Sequence, residues 1–454
     1  MTYTKRQEMW VNKPASPSLI DAEVANHWED GIFQAHVGLD RIVARTVDVH
    51  TYGAAGDGVT DDSAAIQAAL TAAGGMSGPT SVVTRPGSTY RLTTQVIPPS
   101  NVSFGPLRGR STLKLTSGST ARAILVQDVD NIEIHDLDID LNKSATTDGG
   151  SNSGQQGVYG LYSTTRTGLA VRRVTVRNGW RRGLEVSITS PGSISDVVFE
   201  ACTLTAVAES ALVVQCIAQT DRTTPSASSR VAIRGCSVSG HGIYGILLTG
   251  VSDASVRDCS VNGVGSTGHG ICISASTNGT PGEYRYRHVT DIDVVGNHVR
   301  GCTGTGRWGI VASVGTKRFA ISRNVIAGCA GGITADLEDG TEIGVRVVAD
   351  GMISGNVVSG TTASHGINAR LLEGVTITGN TIRGTALAGI AIANAYAVTA
   401  STNTILGAGT DGVAIQGTSA GTGGHRVEGN NIRGQGGAVT STSSPPVACV
   451  VQSS

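Results

Sequence analysis

The sequence predicts an all-β chain wound as a single-stranded parallel β-helix, a solenoid whose coils stack along one axis. Three observations predict it. A unit of the form apolar-x-apolar-x-(Gly)-Asn-x-apolar-x-Gly recurs, with asparagines at Asn297, Asn324, Asn356, Asn380, Asn403 and Asn430, spaced 27, 32, 24, 23 and 27 residues apart. A few residues after each comes a short Gly-apolar-x-apolar segment that alternates like a strand. Glycine reaches 62 of 454 residues with only 12 prolines and no three-residue period. That pattern excludes collagen and proline-rich disorder and leaves a turn-rich repeat architecture.

In chain order, DGVTDDSAAIQAALTAAGG (57 to 75) reads as a helix, with Asp61 or Asp62 able to cap it, alanines inside, and Gly74-Gly75 as the stop. Its core, 61 to 73, suits a cap over the open end of the solenoid, where an uncovered coil would expose a sheet edge and the core. The strands that follow are RGLEVS (182 to 187), YGILLTG (244 to 250), HGICIS (269 to 274), WGIVAS (308 to 313), GGITADLE (331 to 338), HGINAR (365 to 370), AGIAIA (388 to 393) and DGVAIQ (411 to 416). Equivalent turn residues then lie one strand spacing apart, so the asparagine amides can hydrogen-bond up the stack as a ladder. Earlier coils carry Cys202, Cys236 and Cys259 in that slot. The eight cysteines read as core thiols, with Cys302 and Cys329 forming a similar stack. The expected organisation is an N-terminal arm over 1–45, the β-helix over 46–440 and a C-terminal tail over 441–454.

Charge excludes several functions. Lys+Arg (34) balances Asp+Glu (35), and charged residues are 15% of the chain, so no basic footprint marks a nucleic-acid partner. No apolar run reaches the length of a membrane span, so no membrane insertion is expected, and the first twenty residues lack the apolar stretch of a secretory signal. No cysteine or histidine falls at metal-ligand spacing.

The stretch DVHTYGAAGDGVTDDSAAIQAAL (48 to 70), followed by VVTRPGSTYRLTTQVIPPSNVSFGPLRG (82 to 109), resembles the opening of the pectate-lyase-like, right-handed parallel β-helix superfamily. The resemblance covers roughly 47 to 440. It implies a right-handed coil and an activity among the polysaccharide lyases, polygalacturonase-type hydrolases, epimerases and phage tailspikes. A second segment, WVNKPASPSLIDAEVANHWEDGIFQAH (10 to 36), looks like the N-terminal segment of tail appendage proteins in phages of Gram-positive bacteria. It implies an attachment arm that seats on a phage tail or baseplate protein, a homotrimer as tailspikes generally are, and a virion or extracellular location. Val24, Trp28 and Phe33 would cover themselves against sister chains or that tail protein.

Because the inside of a β-helix is filled, a site must lie on an outer flank. Taking the residue after each repeated glycine as inward, the turn before the strand gathers Trp180, Arg181, Arg182, Glu209, His241, Tyr244, His269, Arg307, Trp308 and His365. Aromatics are only 4% of the chain, yet Trp180, Tyr244 and Trp308 fall at this one turn beside three histidines. Flat rings with hydrogen-bonding neighbours suit the C–H faces and hydroxyls of sugars, and repetition along the axis would make a groove for a polysaccharide. With Arg370, these residues are the candidate binding surface; each alone could equally be an exposed turn side chain.

For hydrolysis, Asp336 and Glu338 stand at i and i+2, on one strand face with Cβ atoms roughly 7 Å apart, within range of an acid and base or nucleophile pair. A solvated acidic strand end or a cation site is the bland alternative for DLEDGTE (336 to 342). Glu185 and Glu209, on adjacent coils, make a second pair. For β-elimination on a uronic-acid polymer, His241, Tyr244, His269, Arg307 and Lys317 supply a cation and a base within about three coils. GHGICIS (268 to 274) is similar to the Gly-His-Gly-Ile-x-Ile strand of polygalacturonase-type enzymes, which implies a supporting role for His269 beside catalytic carboxylates. The Asp-Asp pair of that type is absent one coil earlier, where YGILLTG stands. The insertion TNGTPGEYRYRH (277 to 288) reads as a groove wall or as a contact to a neighbouring subunit.

The expectation is a tailspike-like depolymerase that binds and cleaves a bacterial surface polysaccharide, with hydrolysis through Asp336, Glu338, Glu209 and His269 favoured over elimination. A non-catalytic receptor-binding spike is the rival from another class. No cofactor is expected, and a structural or substrate-bridging calcium ion is left open.

Overall fold

The computed structural model describes residues 45–117, 119–143, 155–189, 192–217, 229–263, 268–274, 289–313, 315–336, 348–416, 424–434, 437–441 and 449–452. Its strands fall into three sheets of 17, 14 and 12 strands, here sheets 1, 2 and 3. Each coil visits them in that order before the next coil stacks on it in parallel register, as Phe199↔Ile233, Leu204↔Val238 and Leu212↔Ile246 illustrate. The winding is a right-handed parallel β-helix, the hand that a twisted strand feeding a parallel crossover imposes.

The passage from sheet 1 to sheet 2 is two residues long in ten coils, from Arg172–Thr175 to Glu428–Asn431. The first of the two takes a left-handed backbone, as at Ala201 (φ 52°), Asp258 (φ 54°), Gly296 (φ 70°), Arg323 (φ 56°) and Thr402 (φ 53°). Non-glycine residues pay roughly 1–2 kcal/mol for that conformation, so the corner needs support, and the second residue supplies it. Asn324 donates its backbone N–H and its Nδ2 to Asn356 Oδ1 at 2.9 and 3.0 Å, and Nδ2 also donates to the Val294 carbonyl. The same triplet repeats at Asn297, Asn356, Asn380 and Asn403. The ladder is joined to the cysteine coils by the Cys259 N–H, which donates to Asn297 Oδ1. Seven cysteines between Cys202 and Cys329 are buried and form no disulfide, and the Cys302 N–H points at Cys329 Sγ.

Inside, one column of sheet 3 runs Ile246, Ile271, Ile310, Ile333, Ile367 and Ile390, all with no exposure. Each buried side chain of this size adds about 1.5–3 kcal/mol. The glycine preceding each is there for space. A Cβ at Gly332 would stand 2.2 Å from the Gly366 carbonyl oxygen and 2.5 Å from Val358 Cγ1, so the coil can close only without a side chain.

The capping helix, α1, spans Ser63–Gly74 and buries Ile66, Ala69, Leu70 and Ala73 on the first coils. It is shorter than the 57–75 segment. Asp57–Asp61 is a strand of sheet 2 paired with Thr89–Leu92. Asp61 accepts the N–H and hydroxyl of Ser63, whereas Asp62 faces backward to hold the Ala55 and Gly56 N–H groups. The solenoid also outruns its expected end. Cys449–Gln452, inside the supposed tail, pairs with His425–Glu428 in sheet 1. Among the described residues no helix is long and apolar enough to cross a membrane. The 1–44 segment and the 277–288 insertion lie outside the described residues.

Candidate functional site

One corner of the solenoid, where sheet 2 passes into sheet 3, carries the chemistry. Register on sheet 3 sets Arg122, Gln156, Arg182, Ser210, Tyr244 and His269 in one column on successive coils, with Trp308 following. The winding therefore brings Tyr244, His269 and Trp308 together, as expected. Asp336 lies elsewhere: it closes the strand Gly331–Asp336, five positions from the column level, roughly 16 Å along the strand direction.

Two clusters occupy the corner. The lower one is a closed ionic network. Glu185 is 2% exposed and accepts from Arg182 Nη1, Gln156 Nε2, Ser187 Oγ and Gln215 Nε2. Arg182 also reaches Glu209 through Nε at 3.1 Å, and Arg181 Nη1 holds the other Glu209 oxygen at 3.2 Å. Beside it Arg122 stacks over the Tyr159 ring, 4.4 Å from its centroid. A buried carboxylate is tolerated only with such partners. The Glu185/Glu209 pair is thus brought together on adjacent coils, with one guanidinium shared between them.

The upper cluster is neutral imidazole beside a cation. His241, 2% exposed, sits in the turn after Gly240, whose φ is 68°. The Gly242 and Ile243 N–H groups donate to the Glu209 carbonyl oxygen, so the coil below fixes this turn. His241 Nε2 donates to the His269 carbonyl oxygen at 3.1 Å, which leaves Nδ1 with its lone pair and no partner. Burial pushes His241 down to about 4. Burial, then the Arg307 charge and His241, take His269 to about 4 as well. Both rings are neutral near pH 7. The Tyr244 ring lies parallel to His269, with centroids 5.9 Å apart and planes at 14°.

His269 also interrupts the sheet. Between Trp308 and the coil below, the Trp308 N–H donates to His269 Nδ1 at 3.1 Å, the side chain standing in for a backbone carbonyl. A neutral imidazole has a single acceptor nitrogen. Yet Arg307 Nη1 stands 3.0 Å from Nε2. The Trp308 N–H and the Arg307 guanidinium thus compete for one lone pair, and among the described residues no carboxylate pairs with Arg307. An acceptor entering from outside would satisfy the donor left over.

The remaining candidates have other duties. Asp336 pairs with Arg370 on the next coil at 3.6 Å. Glu338 lies outside the described residues. His365 Nδ1 accepts the Ala388 N–H, and burial lowers its basicity. The Trp308 ring lies flat on Gly331, where a Cβ would meet it at 2.3 Å. Lys317 is on sheet 1, in register with Thr290 and Ala349, away from the corner. The outward face of sheet 3 is buried at Glu185, Cys272, Val311, Thr334 and Asn368; Trp180, Tyr244, Arg307 and Trp308 are half-buried and Arg370 is exposed. Sequence reasoning missed Lys143, whose Nζ sits 3.8 Å from the centroid of the Trp180 ring. No motif marks it. Among the described residues no group of three metal-ligating side chains converges.

Comparison with solved structures places the geometry among known β-helices. The A-module of the mannuronan C-5 epimerase AlgE4 from Azotobacter vinelandii is similar with TM-score 0.57 and 18% identity, over 89% of this chain and 100% of that one. Bacteriophage CBA120 tailspike protein 3 gives TM-score 0.55 and 13% identity, over 95% of this chain and 63% of that one. The catalytic unit of a GH87 alpha-1,3-glucanase from Streptomyces thermodiastaticus gives 0.54 and 16%, over 88% and 70%. These likenesses are of fold. No curated protein sequence matches the chain. Two family models do: a right-handed β-helix region over residues 286–449, and a second model over residues 46–344. That second match takes in most of the solenoid and both clusters of the corner, and by it the chain belongs to the pectate-lyase-like rhamnogalacturonase A/epimerase family.

Proposed function

We propose that this protein is a tailspike-like polysaccharide depolymerase that cleaves an acidic bacterial surface polysaccharide by β-elimination at the His241–Tyr244–His269–Arg307 cluster. The observation that carries the reading is the surplus of donors at His269, where the Trp308 N–H and Arg307 Nη1 both address a ring with one lone pair and the Arg307 charge has no described carboxylate partner. A uronate carboxylate is planar, anionic and able to accept from the guanidinium. Held there, its charge is neutralised and the C5 proton becomes acidic enough to remove. In the step, a base takes the C5 proton, the C5–H electrons form the C4–C5 double bond, and the C4–O4 bond breaks with its pair leaving on oxygen, which then gains a proton. Tyr244, half-buried beside His269, is positioned for proton transfer at the sugar, and the buried His241 Nδ1 in the same cluster keeps an unpartnered lone pair.

Hydrolysis asks for a carboxylic acid that gives up a proton. Glu185, Glu209 and Asp336 are each already held by a guanidinium. This tilts the balance from the acid pair that the sequence favours toward elimination. A tail-borne, trimeric, extracellular protein fits the arm over 1–45, and a phage tail or baseplate protein is its proposed anchor.

The test is incubation with uronic-acid polymers and candidate host polysaccharides, following reducing ends and the ultraviolet absorbance of the unsaturated product together. Elimination raises both signals, and Arg307→Ala lowers the rate about 10²–10³-fold. Reducing ends without new absorbance would replace elimination by hydrolysis. Binding without either signal would make the protein a non-catalytic spike.

A further inference from the structure

The same corner carries a second cation–aromatic pair far from the reacting cluster. Lys143 is exposed, and its ammonium rests over the half-buried Trp180 ring. The Lys143 N–H donates to the Asn178 carbonyl oxygen, so the two side chains occupy neighbouring coils of one corner. Among the described residues Lys143 pairs with no carboxylate, unlike Arg181 and Arg182, which Glu209 and Glu185 engage. From Trp180 the corner climbs without a break. The Glu209 N–H donates to the Arg181 carbonyl, the Ile243 N–H to that of Glu209, the His269 N–H to that of Ile243, and the Trp308 N–H to the His269 ring. Ile243, 42% exposed, lies midway. Trp180 and Trp308 therefore stand four coil steps apart, roughly 19 Å, each beside a cation that pairs with no carboxylate among the described residues, with an open apolar side chain between.

We infer that Lys143 and Trp180 form a distal subsite for another acidic sugar of the same polymer, several residues along the chain from the one held at His269 and Arg307. The inference rests on the elimination reading above. A sugar carboxylate draws the ammonium off the ring, and the sugar's C–H face takes the ring it vacates. The polymer then lies along the solenoid axis, anchored at both ends of the strip, and is cut internally.

The experiment compares wild type, Lys143→Ala and Trp180→Ala on polygalacturonate and alginate and on trimers prepared from each. Both variants should raise KM on polymer about 3- to 10-fold, leave kcat unchanged, and act on the trimer as wild type does, because the trimer is too short to bridge the strip. Lys143→Ala should also flatten the salt dependence of polymer KM. If wild type cuts polymer and both variants keep its preference for polymer over trimer, the subsite is wrong and the elimination reading stands; melting temperatures then show whether the pair is only a structural contact. If wild type yields no unsaturated product from either polymer or from the candidate host polysaccharides, the parent reading fails and takes the subsite with it.

Discussion

Replacing Asn356 by alanine tests the physical basis of the winding. Its Oδ1 accepts two hydrogen bonds from Asn324, through the backbone N–H and Nδ2, and its Nδ2 donates to the Ile321 carbonyl and to Asn380 Oδ1, all within 2.9–3.0 Å and fully buried. Asn324 Nδ2 keeps its bond to Val294, and Asn380 Oδ1 keeps the Asn356 N–H. The Asn324 backbone N–H keeps nothing. Four bonds at a net of about 1 kcal/mol each, one of them leaving a buried donor orphaned, give a loss of about 3–6 kcal/mol. In a repeat protein that loss is first felt locally. Hydrogen exchange at the amides of Asn324 and Val357 should accelerate by orders of magnitude while those of Leu113 and Leu115 do not change. Ser255→Ala, on the outer face of sheet 1, serves as control. A loss below about 1 kcal/mol, equal to that control, would refute the ladder as a source of stability.

Acid should weaken the site before it unfolds the solenoid. His241 and His269 fall from 6.5 to about 4 on folding, so the unfolded chain binds protons that the native state does not; stability is complete above pH about 6.5, falls as pH drops toward about 4, and loses up to about 3 kcal/mol per ring. Urea midpoints measured across that window, with His241→Gln as comparison, check it; a flat profile would mean that the rings are not buried as bases. Gly332→Ala should cost about 1–3 kcal/mol or more by overpacking against the Gly366 carbonyl, read as a lower melting temperature. Asp336→Asn weakens its ion pair with Arg370 and should leave turnover within about twofold of wild type; a loss of several orders of magnitude would restore hydrolysis at Asp336.

The winding is legible in the chain because each coil repeats one short instruction. The asparagine slot, the inward isoleucines and the glycine before them are local necessities, and stacking makes them periodic. The column of Tyr244, His269 and Trp308 is legible for the same reason, since register carries a turn residue onto its equivalent in the next coil. Partnership is not legible. Nothing near Asp336 in sequence announces Arg370, 34 positions on, and nothing near Glu209 announces that Arg181 and Arg182 take both of its oxygens. The donor conflict at His269 is likewise hidden, because it depends on an imidazole replacing a carbonyl in the sheet ladder, a choice made by three-dimensional fit. Helix α1 came out short because Asp57–Asp61 had an open sheet edge to join, and pairing there outweighs propensity.

The two-residue corner between sheets 1 and 2 has an evolutionary reach. The opposite passage, from sheet 3 back to sheet 1, ranges from a single residue between Arg370 and Leu372 to fourteen between Ser274 and Val289. One seam of the molecule is held to constant length by its amide spine, while the other takes up from one to fourteen residues with the coils still in register. New specificities can therefore be grafted along that free seam, one coil at a time, onto a shaft that does not notice the change.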